Sequence, residues 1–253
     1  LTRKLAEVLI LKAKIYWGQG LTESGNSEMR KASTIVSDHP EVKKFGLRSY
    51  VRAEKIYSLC LNKFRCGEFD EAYLLIQNAV ALSSQDIKLF IMQAKLQRNL
   101  GEVEAAFKSI QTATNLYQKA ADGSYEMKVP EEIIKETNLI FNDKALQCAA
   151  SGDYDKSVTL LNKAIQAEIS LNKANKMAES VLTSMTAGDA GASLGLVSSR
   201  PDGYNETNGH GLGSLEMVDY RFLVNRGDCL RAQHKYGLAL IDYDAAMASL
   251  KIR

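Results

Sequence analysis

Two stretches of this chain align without a gap at a spacing of 34 residues. One runs from Tyr57 to Leu82 (YSLCLNKFRCGEFDEAYLLIQNAVAL) and the other from Ile91 to Leu116 (IMQAKLQRNLGEVEAAFKSIQTATNL). Gly67 and Gly101, Phe69 and Val103, Ala72 and Ala106, Ile76 and Ile110, Ala79 and Ala113, and Leu82 and Leu116 are all 34 apart. A fixed period of this length means one small structural unit used repeatedly, each copy burying the apolar face that its neighbour leaves open. A third copy carries Gly152, Tyr154, Ser157, Leu161 and Ala164 in register. A fourth carries Gly227, Tyr236, Ala239, Tyr243 and Ala246, and a looser copy at the N-terminal end carries Ala13, Tyr16, Gly20, Gly25, Met29 and Ala32.

The spacing closely resembles that of the tetratricopeptide repeat (TPR) family. That resemblance implies two antiparallel helices, A and B, per 34-residue unit. In chain order the copies are 6–39, 53–86, 87–120, 138–171 and 220–253. Small residues stand at position 8 (Ala13, Cys60, Ala94, Ala145, Gly227) and position 20 (Gly25, Ala72, Ala106, Ser157, Ala239), which lets A and B approach closely. Position 27 is alanine in all five copies (Ala32, Ala79, Ala113, Ala164, Ala246), where the following repeat should press in. Positions 4 and 24 carry bulk. Glycine at position 15 ends helix A in four copies, and His234 holds that place in the fifth. The expected fold is all-α, a single α-solenoid of five TPR-like hairpins over 1–253 with three inserts, 40–52, 121–137 and 172–219. Two features depart from the family pattern. No proline stops helix B near position 32, and position 7 is polar in most copies (Lys12, Gln93, Lys144, Arg226).

Each insert has its own character. The first begins at Pro40 and reads as a helix running on into copy two. The second has a turn at Asp122–Gly123 and Pro130 near a helix start. After Ala164 the chain lacks Gly and Pro and should stay helical to about Leu182. From Gly188 to Gly213 the segment holds 7 of the 17 glycines and keeps neither helical nor strand periodicity, so a flexible loop is expected there.

Chemistry is hard to place on this sequence. His39, His210 and His234 lack a second ligand at metal spacing and read as solvated turn residues. Cys60, Cys66, Cys148 and Cys229 are too scattered for a disulfide framework, read as buried small apolar residues, and fit a reducing compartment. Gly209, Gly211 and Gly213 do not make a dinucleotide fingerprint, and no pair of carboxylates is singled out for acid–base work. Asn205-Glu206-Thr207 matches a glycosylation acceptor without a secretory signal beside it. The expectation is therefore no enzyme, no cofactor and no metal. A net charge of +2 gives no reason for broad nucleic-acid or lipid binding. Apolar runs break well short of the ~18 residues of a membrane span. The chain starts at Leu1 rather than methionine, as a piece of a longer protein would.

What remains is surface. The family resemblance implies that helix A lines a concave groove. Copies two and three place Tyr57, Leu61, Phe64, Lys88, Ile91, Met92, Lys95 and Arg98 there, an apolar strip with basic points suited to a partner segment of some acidic character. The clamp by which some TPR adaptors hold a chaperone's C-terminal carboxylate is missing in either register. The expected role is a cytoplasmic protein-interaction scaffold within a larger complex. The last copy (NRGDCLRAQHKYGLALIDYDAAM) also resembles TPR proteins of ciliated and sperm cells. That narrower resemblance implies axonemal or cytoskeletal partners and a structural place in a ciliary assembly.

Overall fold

The computed structural model describes residues 2–120, 130–186, 215 and 217–252. Every regular element among them is an α-helix: α1 (Thr2–Gly18), α2 (Thr22–Ile35), α3 (Pro40–Arg65), α4 (Phe69–Leu82), α5 (Ile87–Asn99), α6 (Val103–Ala120), α7 (Glu131–Ala150), α8 (Tyr154–Thr186), α9 (Tyr220–Ala232) and α10 (Tyr236–Ile252). The chain divides into two compact units, Leu1–Leu100 and Gly101–Arg253. Each unit is a stretch of all-α solenoid made of consecutive hairpins. The expected Asp122–Gly123 turn and the Gly188–Gly213 segment, with His210, lie outside the described residues.

The turns follow the repeat. Gly20, Gly67, Gly101 and Gly152 all have φ between 76° and 84°, and His234 at the same repeat position has φ 60°. A left-handed residue after a helix aims the next amides back at the last carbonyls. Glu68 N donates to Lys63 O at 3.0 Å, Asp153 N to Cys148 O at 2.9 Å and Lys235 N to Leu230 O at 2.9 Å. The histidine turn is thus built like the glycine turns, at a steric cost that glycine avoids.

In the first unit, α1 pairs with α2 and α3 with α4. Ala13, Met29 and Ala32 are fully buried and share a core with Ile10 and Val42. Cys60, Ala72, Ile76 and Ala79 are fully buried beside Leu89, Met92 and Leu96 of α5. The small residue at position 27 therefore sits where the next helix A arrives. Pro40 stands at the start of α3, and His39 caps it by accepting from Glu41 N at 3.2 Å. The first insert is the leading half of α3, as its sequence suggested.

In the second unit, α7 pairs with α8 and α9 with α10. Pro130 immediately precedes α7. Helix α8 overruns its repeat and continues to Thr186, past the expected Leu182, because nothing in its sequence stops it. The third insert differs from expectation at its C-terminal end. Leu215 and Val218 are 4% and 0% exposed and belong to the core with Leu161, Ile165 and Leu223. Asn172 donates to Met217 O at 2.8 Å, Ser249 donates to Val218 O at 2.7 Å, and Glu168 accepts from Asp219 N at 3.1 Å. Two isolated apolar residues after a glycine-rich run carry no period, so the sequence pattern does not announce them as core.

The polar residues at position 7 have a structural role. In copy one Lys12 meets Glu28 at 3.4 Å, and in copy five Arg226 meets Asp242 at 2.6 Å. Both acids stand at position 23, so the pair ties helix A to helix B within one hairpin. Lys144 pairs instead with Glu104 of α6 at 2.8 Å. The cysteines do not all follow the expectation of burial: Cys60 and Cys229 are buried, but Cys148 is half-buried and Cys66 is exposed. Cys66 is the C-terminal cap of α3, where the chain turns out towards solvent.

Candidate partner-binding surface

All eight groove residues expected from the sequence lie in the first unit, on α3 and α5. Tyr57, Leu61 and Phe64 follow one another at four and three residues along α3 and so share a side. Each is half-buried and packs on the cluster that Leu89, Met92 and Leu96 complete. Phe64 also meets Phe69, the first residue of α4, with ring centroids 5.5 Å apart. The strip is therefore fixed from beneath while one edge of each side chain stays in water.

Helix α5 contributes differently from the expectation. Ile91 and Met92 are only 5% and 3% exposed, so they supply core and offer a partner almost no area. Burial on a 13-residue helix depends on what packs against it, and the i, i+4 rule read from sequence does not show this. Lys95 and Arg98 are half-exposed.

Lys88 is not a free basic point. Its ammonium bonds to the Glu54 carboxylate, lies 3.8 Å from Asp86, and sits over the rings of Tyr57 and Tyr50 at 5.3 and 5.8 Å. Partial burial works against its charge, but the Glu54 hydrogen bond and the fields of Asp86 and Glu54 outweigh it and leave the lysine pKa raised. Asp86 also accepts from Lys88 N at 3.2 Å and so caps α5. Lys88 thus fastens α5 to α3 and positions Tyr57. Glu54 and Lys88 stand 34 residues apart at the same repeat position, so the register itself contained the signal that they would meet.

Two further features surround the strip. Gln97 donates to the Tyr73 hydroxyl at 3.2 Å and links α5 to α4. Cys60 donates to Ala72 O at 3.3 Å, and burial pushes its thiol up to about 11, so it remains a thiol and a packing residue. No group of His, Cys, Asp and Glu able to hold a metal occurs among the described residues. No described helix is long and apolar enough to cross a membrane.

No family model and no curated protein matches the sequence. Among solved structures the chain is similar to MamA, over 94% of each chain, at 11% identity and a TM-score of 0.42. It is similar to Pseudomonas aeruginosa PilF over 98% of this chain and 78% of that one, at 12% identity and a TM-score of 0.41. A Podosopora anserina putative kinesin light chain with nearly identical TPR-like repeats matches over 99% and 96%, at 11% identity and a TM-score of 0.41.

Proposed function

We propose that the chain is a non-enzymatic protein-interaction scaffold that holds a segment of a partner protein against the helix-A face of α3 and α5. One observation carries the reading. Tyr57, Leu61 and Phe64 form a half-exposed apolar strip held rigid by the α5 core, beside the half-exposed Lys95 and Arg98. Preformed apolar area of this kind can be removed from water on binding without first being ordered. The flanking cations favour a segment with carboxylates and set its rate of arrival.

A photo-crosslinker at position 61 or 95, in native cells, tests this. Partner adducts are expected from both positions, and Phe64→Ala should remove them while leaving far-UV circular dichroism near wild type. Absence of adducts from both positions, with adducts from control probes placed on α8 or α10, would overturn the proposal. The resemblance of the last copy to TPR proteins of ciliated and sperm cells supports a narrower form, a fixed component of a ciliary microtubule assembly. Immunolocalisation to the cell body with none on the axoneme would remove that form and leave the scaffold reading standing.

A further inference from the structure

A second surface in the first unit stands apart from this strip. The leading half of α3 presents Lys44, Arg48, Arg52 and Lys55, at intervals of four, four and three residues, along one side of the helix. All four are exposed. None has a carboxylate within ion-pair distance among the described residues, whereas Lys12, Lys14, Lys31, Lys63 and Lys88 of the same unit all do. Four adjacent cations left without intramolecular partners repel one another, and nothing in the hairpin repays that repulsion.

The stripe has apolar ground on both sides. Leu47 and Val51 on α3 are 65% and 46% exposed. On the other side a cleft of about 230 Å³ opens between α2 and α3, with Trp17, Met29, Phe45 and Leu82 in its wall and Arg48 and Arg52 at its rim. Trp17 and Phe45 stack at 5.9 Å, and Trp17 Nε1 donates to Asn26 Oδ1 at 3.2 Å, so the aromatic wall is fixed in place. The acid at the cleft, Glu41, is occupied by Lys14 at 3.4 Å.

We propose that this face binds an acidic amphipathic helix of a partner protein, with its carboxylates on the Lys44–Lys55 stripe and one apolar side chain in the Trp17–Phe45 cleft. The eleven steps from Lys44 to Lys55 rise about 16 Å along the helix, the length of three turns. A partner helix with Glu at four-residue intervals matches that spacing in register. Its apolar side falls on Leu47 and Val51 or enters the cleft. A nucleic-acid backbone could use the cations but not the leucine, the valine and the apolar wall.

The chain has one tryptophan, and it lines the proposed cleft. The whole chain is titrated with a synthetic helical peptide of about three turns, with Glu on one side and Leu and Phe on the other. Tryptophan emission and calorimetric heat are followed together. The expected result is a saturable change in both. Affinity should fall about tenfold on raising salt from about 0.05 to 0.5 M, as rim charges are screened. The Arg48→Glu/Arg52→Glu variant changes only exposed side chains, and it should bind about thirtyfold more weakly with unchanged circular dichroism. Phe64→Ala should leave this titration unchanged, which separates it from the strip on α3 and α5. The proposal is overturned by absence of saturable heat and emission change, or by unaltered affinity in the double variant. It is equally overturned by binding of an oligothymidylate or of phosphatidylserine vesicles as tight as that of the peptide.

Discussion

Replacing Arg226 by methionine tests how far a single ion pair holds the last hairpin together. Arg226 Nε donates to Asp242 Oδ2 at 2.8 Å, Nη2 donates to Oδ1 at 2.6 Å, and Nη1 reaches Asn162 Oδ1 at 2.7 Å. The side chains are 16% and 3% exposed. Methionine keeps most of the aliphatic stem and removes the cation, leaving a carboxylate sealed between α9 and α10 with both bonds lost. Breaking a buried pair on one side costs about 3–5 kcal/mol. For a chain of this size that lowers Tm by about 2–4 °C per kcal/mol, or roughly 6–20 °C. The Arg226→Met/Asp242→Leu double variant removes the stranded charge as well and should return to within about 1 kcal/mol of the parent. Urea denaturation of the parent, the two single variants Arg226→Met and Asp242→Leu, and the double variant, followed by circular dichroism, gives the coupling energy. A loss below about 1 kcal/mol in Arg226→Met would refute the reasoning, because a carboxylate so enclosed cannot regain water without opening the hairpin.

Other expectations follow from the same geometry. His234→Gly should raise stability by about 0.5–1 kcal/mol, since φ 60° costs a side chain what it does not cost glycine, and a lower urea midpoint would contradict it. Ala113→Phe should cost about 1–3 kcal/mol by overpacking a fully buried position, and an unchanged thermal melt would show the repeat register to be wrong. Gly227→Ala places a Cβ 2.7 Å from Tyr243 Cε1, so the ring must leave Asp228, to which its hydroxyl donates at 2.8 Å; a similar loss is expected, read by the same melt. Glu28 has its pKa lowered by the Lys31 hydrogen bond, against the effect of burial and with help from Lys12. A depressed carboxylate stabilises the fold above its unfolded value near 4.3 and loses that contribution as pH falls through the folded value. Glu28→Gln should therefore flatten the fall of the urea midpoint as pH drops through and below the ordinary carboxylate range, and an unaltered slope would count against the pair.

The hairpins were legible because their determinants are local. Alanine every 34 residues at position 27 and glycine at position 15 are read by eye, and both sit where the fold requires them, buried in one case and left-handed in the other. The surroundings of the candidate groove residues were legible only in part. Tyr57, Leu61 and Phe64 are half-exposed as expected, but Ile91 and Met92 are core, since their burial depends on what covers α5 and not on their own spacing. Lys88 differs from its appearance in the sequence for the opposite reason. A lysine on a helix surface looks like an open charge until the acid at the same position of the preceding copy is brought against it. Leu215 and Val218 escaped notice because two apolar residues at the end of an insert make no pattern.

Repeat positions 3 and 10 of helix A, with 21 and 28 of the preceding helix B, show why the cationic stripe lies on α3. In copy three, Leu89 and Leu96 are fully buried in one cluster with Tyr73 and Val80 of α4. In copy five, Phe222 and Cys229 are 2% and 4% exposed within the core that α8 supplies. At the join between copies one and two the residues at those positions are Lys55 and Asn62 on α3 and Asn26 and Ser33 on α2, and no apolar pair remains. The insert 40–52 has taken over that contact: Val42 and Phe45 join the core of the first hairpin within the first two turns of α3. Packing that would have claimed the copy-two end of the helix is thus met thirteen residues earlier. The side of α3 from Lys44 to Lys55 is released from core duty, and charge can accumulate there without displacing an apolar contact between the hairpins. An insert that merely lengthened a loop would have left the Leu–Leu pattern of copy three intact in copy two. Its replacement by Lys55 and Asn62, together with Arg48 and Arg52 upstream, follows from moving the hairpin contact and not from adding chain.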